Sequence, residues 1–252
     1  ARHDVALVAP HYGLDFPSPA VAVDDSRTAA ATRMLAGVPP AQFAEAAVAV
    51  GEALHGGDGH ALEQLATRYP MVPEGQAEQV LDEGTRRRAE LGHYAGAMFY
   101  YGGQWYWGVD RLYHLERRWA GLGLGAGDSL LFPRPAIEVG SYRDNGSMTL
   151  EFYASLRSPY TALIFDKVVE LAERAGVRLA LRPVLPMVMR GVSLSREKGF
   201  YIFRDAAREA RALGVEFGRF YDPIGEPTRR CFSLFDWAGE RGRRGALMSA
   251  FL

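Results

Sequence analysis

The chain has 252 residues, of which 48% are hydrophobic and 23% are charged, and its formal net charge is −1. This composition is typical of a globular protein and argues against a basic surface for nucleic acid or anionic membranes. The single cysteine, Cys231, excludes an intrachain disulfide and a Cys-x-x-Cys redox pair. The six histidines lack the spacing of metal ligands, so we expect no metal site. No apolar run approaches the ~20 residues that span a bilayer, and no signal-peptide pattern opens the chain, so the expected compartment is the cytoplasm.

The first part of the chain is predicted to be mainly helical. Residues 5–8 are expected to form a short strand, and Ser26 is expected to cap the first helix. Helices are predicted at residues 26–35, 43–54, 60–69 and 74–91, each followed by Gly or Pro or by a short turn segment.

An aromatic hairpin is predicted next, with strands at residues 97–101 and 104–107. They are separated by Gly102-Gly103, and two adjacent residues that tolerate positive φ strongly favour a tight β-hairpin. A closing helix follows at residues 112–120. The aromatic side chains are expected to pack in a core and not to stack on bases, because no basic groove accompanies them.

A Gly- and Pro-rich connector, residues 121–146, is the predicted domain boundary. After it, strands at 148–153 and 177–182 flank a helix at 159–175. A strand–helix–strand unit of this length predicts a parallel, right-handed crossover. Further helices are predicted at residues 196–213, 228–239 and 243–252.

Ser158 lies between the first of these strands and its helix, directly before Pro159. Proline is tolerated in a first helical turn, so Ser158 is the expected N-cap. Unpaired backbone N–H groups and the positive end of the helix dipole converge at that position, which suits an anion such as a thiolate. An ordinary capping serine is the alternative interpretation.

Several motifs together resemble one known family. They are Ser158-Pro159-Tyr160, Arg182-Pro183 at the end of the next strand, Lys198-Gly199 at the start of a helix, and Trp107-Gly108-Val109-Asp110-Arg111-Leu112 at the closing helix. This set is similar to the 2-hydroxychromene-2-carboxylate isomerase and kappa-class glutathione transferase family. The resemblance implies an α/β, thioredoxin-like fold of the DsbA type, with a large helical insertion and helix-rich overall.

The motifs occur in an unexpected order, because the family places the Ser-Pro-Tyr motif before the hairpin and final helix. Residues 1–120 therefore resemble the back half of one DsbA-like unit, and residues 147–252 the front half of a unit, with 121–146 as the linker. Either the chain is a piece of a tandem repeat or it is a circularly permuted single copy. The absent initiator Met and the abrupt end favour the tandem interpretation.

The resemblance implies glutathione as the cofactor. Ser158 matches the hydroxyl that stabilises the glutathione thiolate, Lys198 a group that reaches a carboxylate, and Asp110 the partner of the γ-glutamyl ammonium. Tyr160 and Ala97 are further expected contacts, Ala97 at the backbone edge that pairs with the peptide of glutathione. Structural alternatives are a solvated Lys198, an Asp110 that caps the closing helix and a Tyr160 that only packs.

Two departures from the family pattern weaken the match. Met98 stands where the family has a cis-proline, and the loop at residues 187–193 lacks the family's Asn. Two functions therefore stay open: a glutathione-dependent isomerase or transferase, and a non-catalytic thioredoxin-fold module. The expected partner is a small molecule, aromatic or carboxylate-bearing, with no nucleic acid and no membrane, and a homodimer is compatible with the pattern. Cys231 is either an activated thiol or, as we expect, a packing residue, and Arg182 is expected to form an ion pair.

Overall fold

The computed structural model describes residues 2–14, 16, 23–125, 129–136, 140–141 and 143–252. The chain is helix-rich with small sheets, which is compatible with an α/β fold. It divides into two units, one made of Ala1–Gly92 and Val109–Pro135, the other of His93–Gly108 and Ala136–Leu252. The predicted boundaries placed the hairpin with residues 1–120, whereas its contacts place it in the second unit.

The first unit is a cluster of helices. They are α1 (Arg2–Val8), α2 (Asp25–Ala36), α3 (Pro40–Gly56), α4 (Gly59–Arg68), α5 (Glu74–Glu90) and α6 (Leu112–Gly121). Small and medium apolar side chains from α2, α3 and α4 form its core, with Met34, Ala46 and Val50 almost fully buried. The four predicted helices between residues 26 and 91 are confirmed within a few residues.

Two local predictions in this unit are wrong. Residues 5–8 belong to α1 and not to a strand, and strand propensity is realised only where a neighbouring strand supplies pairing. Ser26 does not cap α2. Because that helix begins at Asp25, the cap is Asp24, whose carboxylate accepts a hydrogen bond from the Arg27 backbone N–H at 2.8 Å.

The second unit contains the strands. The hairpin pairs β1 (Met98–Tyr101) with β2 (Gln104–Trp107) in antiparallel register, and Gly102 and Gly103 have φ values of 51° and 78°, as the tight turn requires. The strands β3 (Thr149–Ala154) and β4 (Arg178–Pro183) are parallel and connected by α7 (Pro159–Ala175). The predicted hairpin and strand–helix–strand unit are both confirmed. Among the described strands, however, the two pairs form separate two-stranded sheets.

The remaining helices of this unit are α8 (Arg196–Leu213), α9 (Glu226–Ser233), α10 (Phe235–Glu240) and α11 (Arg244–Phe251). Sequence had predicted one helix over residues 228–239. The chain breaks at Leu234 because its N–H bonds to the Cys231 carbonyl at 3.1 Å, a tighter pattern than that of an α-helix. Side chains of β3, β4, α7, α9, α10 and α11 form the core, with Phe165, Cys231 and Met248 almost fully buried.

None of the helices in the described ranges has the length and apolar character needed to cross a bilayer.

Candidate functional site

A cavity of about 630 Å³ lies at the N-terminal end of α7 in the second unit. The turn between β3 and α7 contributes Arg157 and Ser158 to its wall, α8 contributes Phe203, and residues 215–223 form another side. Apolar and polar groups therefore meet at one opening, which is the usual composition of a small-molecule site.

Ser158 is the N-cap of α7, as predicted. Its Oγ accepts a hydrogen bond from the Thr161 backbone N–H at 3.3 Å, and its φ and ψ of −84° and 112° are those of a capping residue. A hydroxyl has two acceptor lone pairs and one proton, so capping leaves the proton available to a ligand. The capping role and the proposed thiolate contact are therefore compatible at one atom.

The helix behind Ser158 favours an anion at this position. The 17 residues of α7 carry no acidic side chain in the first turn, so nothing there offsets the positive end of the helix dipole. Pro159 occupies the first helical position and supplies no N–H of its own. The helix dipole and the hydroxyl together can stabilise a negative charge beside Ser158, while the carboxylates of Asp166, Glu216 and Asp222 line other parts of the cavity.

An ion pair crosses the cavity wall beside Ser158. Arg157 Nε and Nη2 bind the two carboxylate oxygens of Asp222 at 3.0 and 3.1 Å. The hydrogen bonds from Arg157 hold the pKa of Asp222 below its usual value. The pair is therefore formed above the ordinary carboxylate range and is lost as the pH falls through the lowered pKa.

Aromatic side chains form the apolar part of the wall. The Phe220 ring lies 4.5 Å from that of Phe217 and 5.3 Å from that of Phe203, measured between centroids, in edge-to-face arrangements. Phe220 and the neighbouring Tyr221 are exposed, and such geometry is favourable for aromatic packing. The cavity thus offers flat apolar surface on one side and a hydrogen-bond donor on the other.

The other predicted site residues do not line this cavity in the part of the chain that the structure describes. Lys198 lies in the first turn of α8 and is half-buried. Its Nζ is 5.9 Å from the centroid of the Tyr94 ring, so the side chain is not simply solvated. Tyr160 does not line the cavity, and its hydroxyl donates to Asp205 at 2.8 Å. This contact favours the packing interpretation of Tyr160.

Asp110 and Ala97 occupy local structures of their own. Asp110 belongs to the first unit, where its carboxylate binds the Arg111 guanidinium at 2.7 Å. It is not the cap of α6, because Arg111 precedes that helix and provides no side-chain cap. Ala97 precedes the hairpin with a positive φ of 53°, and its carbonyl accepts a hydrogen bond from the Gly108 N–H at 3.1 Å.

The predictions for Cys231 and Arg182, which both lie in the second unit, are confirmed. Cys231 is fully buried, and burial raises the pKa of its thiol, which is the opposite of an activated thiolate. Arg182 binds the Glu151 carboxylate at 2.6 Å across the parallel strands. Within the described ranges, no three His, Cys, Asp or Glu side chains lie close enough together to hold a metal ion.

Sequence reasoning missed the Arg157–Asp222 pair and the aromatic wall. The two charged residues are 65 positions apart, and the aromatic residues at 217, 220 and 221 have helical spacing over a single turn only, in a segment that contains Gly218 and is followed by Pro223. The only available signal was the Tyr221-Asp222-Pro223 turn, which marks a loop but not its neighbour.

Comparison with known proteins identifies no relative: the chain matches no protein-family model, no curated protein and no solved structure.

Proposed function

We propose that the cavity beside Ser158 binds glutathione and that the protein is a glutathione-dependent isomerase or transferase with a thioredoxin-like, DsbA-type fold. The observation that carries the proposal is the Ser158 hydroxyl, which caps a long helix, keeps its proton and lines a cavity large enough for a small molecule. The parallel strand–helix–strand unit around it supports the fold assignment. The cytoplasm, where glutathione keeps thiols reduced, is the compartment that fits this function.

The chemistry requires a thiolate near neutral pH. A hydrogen bond from Ser158 and the dipole of α7 both stabilise the charged sulfur and so lower the pKa of a bound thiol. In an isomerisation, the thiolate adds to a conjugated carbon–carbon double bond, and the electron pair moves to the conjugated carbonyl oxygen. The former double bond then rotates, the carbon–sulfur bond breaks and the double bond re-forms. The thiolate is released unchanged, with no net oxidation or reduction.

Glutathione binding and its dependence on Ser158 test the proposal. We expect titration calorimetry to show binding by the unchanged chain and at least about tenfold weaker binding by Ser158→Ala, because a hydrogen bond to a charged group contributes about 1.5–3 kcal/mol. Ser158→Asp should abolish binding, since aspartate is a good N-cap but repels a thiolate. The ultraviolet absorbance of the bound thiolate should decrease in Ser158→Ala, which keeps the helix dipole, and disappear in Ser158→Asp.

A matched control separates capping from binding. Asp58 caps α4 by accepting a hydrogen bond from the Ala61 N–H at 2.9 Å, far along the chain from the cavity residues. Asp58→Ala should lower stability by about 1 kcal/mol, as loss of a cap does, and leave glutathione affinity unchanged. Absence of binding by the unchanged chain, or equal affinity in Ser158→Ala, would contradict the proposal.

Tyr160→Phe is expected to lower the free energy of unfolding by about 1 kcal/mol, because the hydroxyl loses its hydrogen bond to Asp205. Glutathione affinity should change by less than about twofold, since Tyr160 packs against the cluster of Leu163, Ala206 and Ala210 and does not itself line the cavity. Urea unfolding and calorimetry measure the two effects. Tyr153→Phe is the control, because its hydroxyl binds Glu151 on an exposed surface. A large loss of affinity in Tyr160→Phe alone would instead assign Tyr160 to the ligand.

A second function is favoured by one observation. Lys198, Ala97 and Tyr160 are expected to contact glutathione in the family, yet none of them lines the described part of the Ser158 cavity. A binding module with a thioredoxin-like fold and no turnover needs only the cavity and its hydroxyl. Glutathione binding without isomerisation of a panel of conjugated aromatic keto acids would support this alternative.

A further inference from the structure

Residues 218–222, here named the strap, form an exposed part of the wall of the Ser158 cavity. They belong to an irregular segment between α8 and α9. Long irregular segments beside a site are often the parts that move, so the attachments of the strap determine what it can do.

Both ends of the strap are fixed. On one side, Phe217 packs against the cluster formed by Leu163, Ala206 and Ala210. On the other side, the Pro223 carbonyl accepts hydrogen bonds from the N–H and the hydroxyl of Thr228, at 3.2 and 2.6 Å, and Thr228 is fully buried. Motion is therefore restricted to the five residues between these anchors.

The strap itself is exposed and strained. Arg219 has a φ of 55°, which residues other than glycine adopt only when surrounding contacts impose it. Phe220 and Tyr221 are 56% and 85% exposed, so little buried surface holds the strap in place. Its conformation must depend on a small number of contacts.

The ion pair between Asp222 and Arg157 joins the strap to the turn before α7, and Asp222 Oδ1 also accepts a hydrogen bond from the Ile224 N–H at 3.2 Å. Arg157 is more enclosed than Asp222, with 29% of its side chain exposed against 55%, and both carboxylate oxygens are used. Such paired hydrogen bonds fix geometry better than a single contact. Since Arg157 directly precedes Ser158, the pair joins the strap to the residue beside the proposed thiolate position.

We propose that the strap is a gate over the Ser158 cavity and that the Arg157–Asp222 pair is its latch. When the pair breaks, the strain at Arg219 favours movement of the strap, and the cavity opens between the two fixed ends. The role of the gate in turnover rests on the proposed function, but gating is a property of the chain alone and is tested without glutathione.

A cysteine placed at the cavity reports access to it. Ser158→Cys is alkylated with N-ethylmaleimide, and the buried Cys231 supplies the unreactive background. Adding Asp222→Asn should accelerate alkylation by about two- to fivefold, the range expected from losing a surface ion pair. Rates are measured across a pH series so that the thiolate fraction is divided out. Salt at about 1 M screens the ion pair, so it should accelerate alkylation of Ser158→Cys but not of the double variant that also carries Asp222→Asn.

Glu216→Gln in the Ser158→Cys background is the matched control. Glu216 lines the same cavity, so this change removes one negative charge without touching the latch. Equal rates in all three proteins, or equal acceleration by Glu216→Gln and Asp222→Asn, would overturn the proposal.

Hydrogen exchange provides a second test in a chain that keeps Ser158. Asp222→Asn should increase the exchange rate of Ile224, whose N–H donates to the Asp222 carboxylate at 3.2 Å, by the same two- to fivefold factor, while Thr228, whose N–H donates to the Pro223 carbonyl, remains protected. Unchanged exchange would reject the gate. A positive result together with no glutathione binding would keep the gate and reject the proposed function.

Discussion

Gly176→Ala is expected to destabilise the second unit by about 2–4 kcal/mol, one of the two largest effects of a single change in this chain. Gly176 ends α7 in the left-handed conformation, with φ of 72°, which costs residues with a side chain about 1–2 kcal/mol. An added Cβ would also collide with the backbone carbonyl of Asp144. Because that contact is with backbone, no side-chain rotation relieves it.

The collision matters because the chain before β3 is attached at this point. Asp144 donates its N–H to the Ala175 carbonyl at 2.8 Å, and Gly146 donates to the Gly176 carbonyl at 3.0 Å. The Asp144 carboxylate also accepts hydrogen bonds from the Ser147 hydroxyl and the Met148 N–H, and the first of these contributes most to lowering its pKa. Displacement of Asp144 by a methyl group would therefore disturb the entry to β3.

Gly214→Ala is the matched control for this prediction. Gly214 ends α8 with a similar φ of 66°, but an added Cβ would meet no atom within 4 Å. Gly214→Ala should therefore lower the free energy of unfolding only by the cost of the left-handed conformation, about 1–2 kcal/mol. Urea unfolding of both variants, followed by tryptophan fluorescence, measures the difference. Equal losses of unfolding free energy in Gly176→Ala and Gly214→Ala would contradict the prediction, because the backbone at Asp144 would then move aside without cost.

Local sequence patterns were sufficient to predict most of the helices and strands. The hairpin followed from Gly102-Gly103 between aromatic runs, and α7 from Ser158-Pro159 followed by helical periodicity. These features depend on neighbouring residues, and their physical causes act over a few positions. Residues 5–8 show the limit, because whether an apolar run becomes a strand depends on a partner elsewhere in the chain.

The candidate site was only partly predictable for the same reason. Ser158 was found because helix capping is local. The Arg157–Asp222 contact and the Tyr160–Asp205 contact join residues 65 and 45 positions apart, and single sequences carry no pattern for such pairs. Lys198 was expected at the site because it matches a family position that reaches a carboxylate, and Ala97 because the family's hairpin edge pairs with the peptide of glutathione. Because the described strands form two separate pairs, the hairpin next to Ala97 does not share a sheet with β3.

The buried contacts of α8 explain how the hairpin is held without sharing a sheet with β3. The Tyr201 hydroxyl accepts a hydrogen bond from the Trp107 N–H at 3.2 Å, and Arg208 donates to the Trp105 carbonyl at 3.1 Å. The Arg208 guanidinium also lies 4.3 Å from the centroid of the buried Tyr106 ring. Helix α8 therefore connects the hairpin to α7 through side chains, where a continuous sheet would have used backbone hydrogen bonds.

Asp205 is the centre of this connection, and Asp205→Ala is expected to cost about 3 kcal/mol of unfolding free energy. Its carboxylate is fully buried and accepts from Tyr160 at 2.8 Å and Tyr201 at 3.4 Å, with Arg208 at 3.5 Å. Removing it takes an acceptor from two hydroxyls and the counter-charge from a largely buried guanidinium. Buried polar groups that lose such partners are costly because water does not replace them.

The expected pattern across variants distinguishes this network from general packing loss. Asp205→Asn keeps one acceptor oxygen and the side-chain volume, so it should lose about half as much stability as Asp205→Ala. Asp166→Ala, in which an exposed carboxylate loses a hydrogen bond from Ser249, should change stability by less than about 0.5 kcal/mol. Hydrogen exchange should show residues 98–107 opening more readily in Asp205→Ala, since Tyr201 and Arg208 hold the hairpin. If exchange in the hairpin stays unchanged while stability falls, Asp205 supports only the α7–α8 contact and the hairpin is held by its aromatic packing.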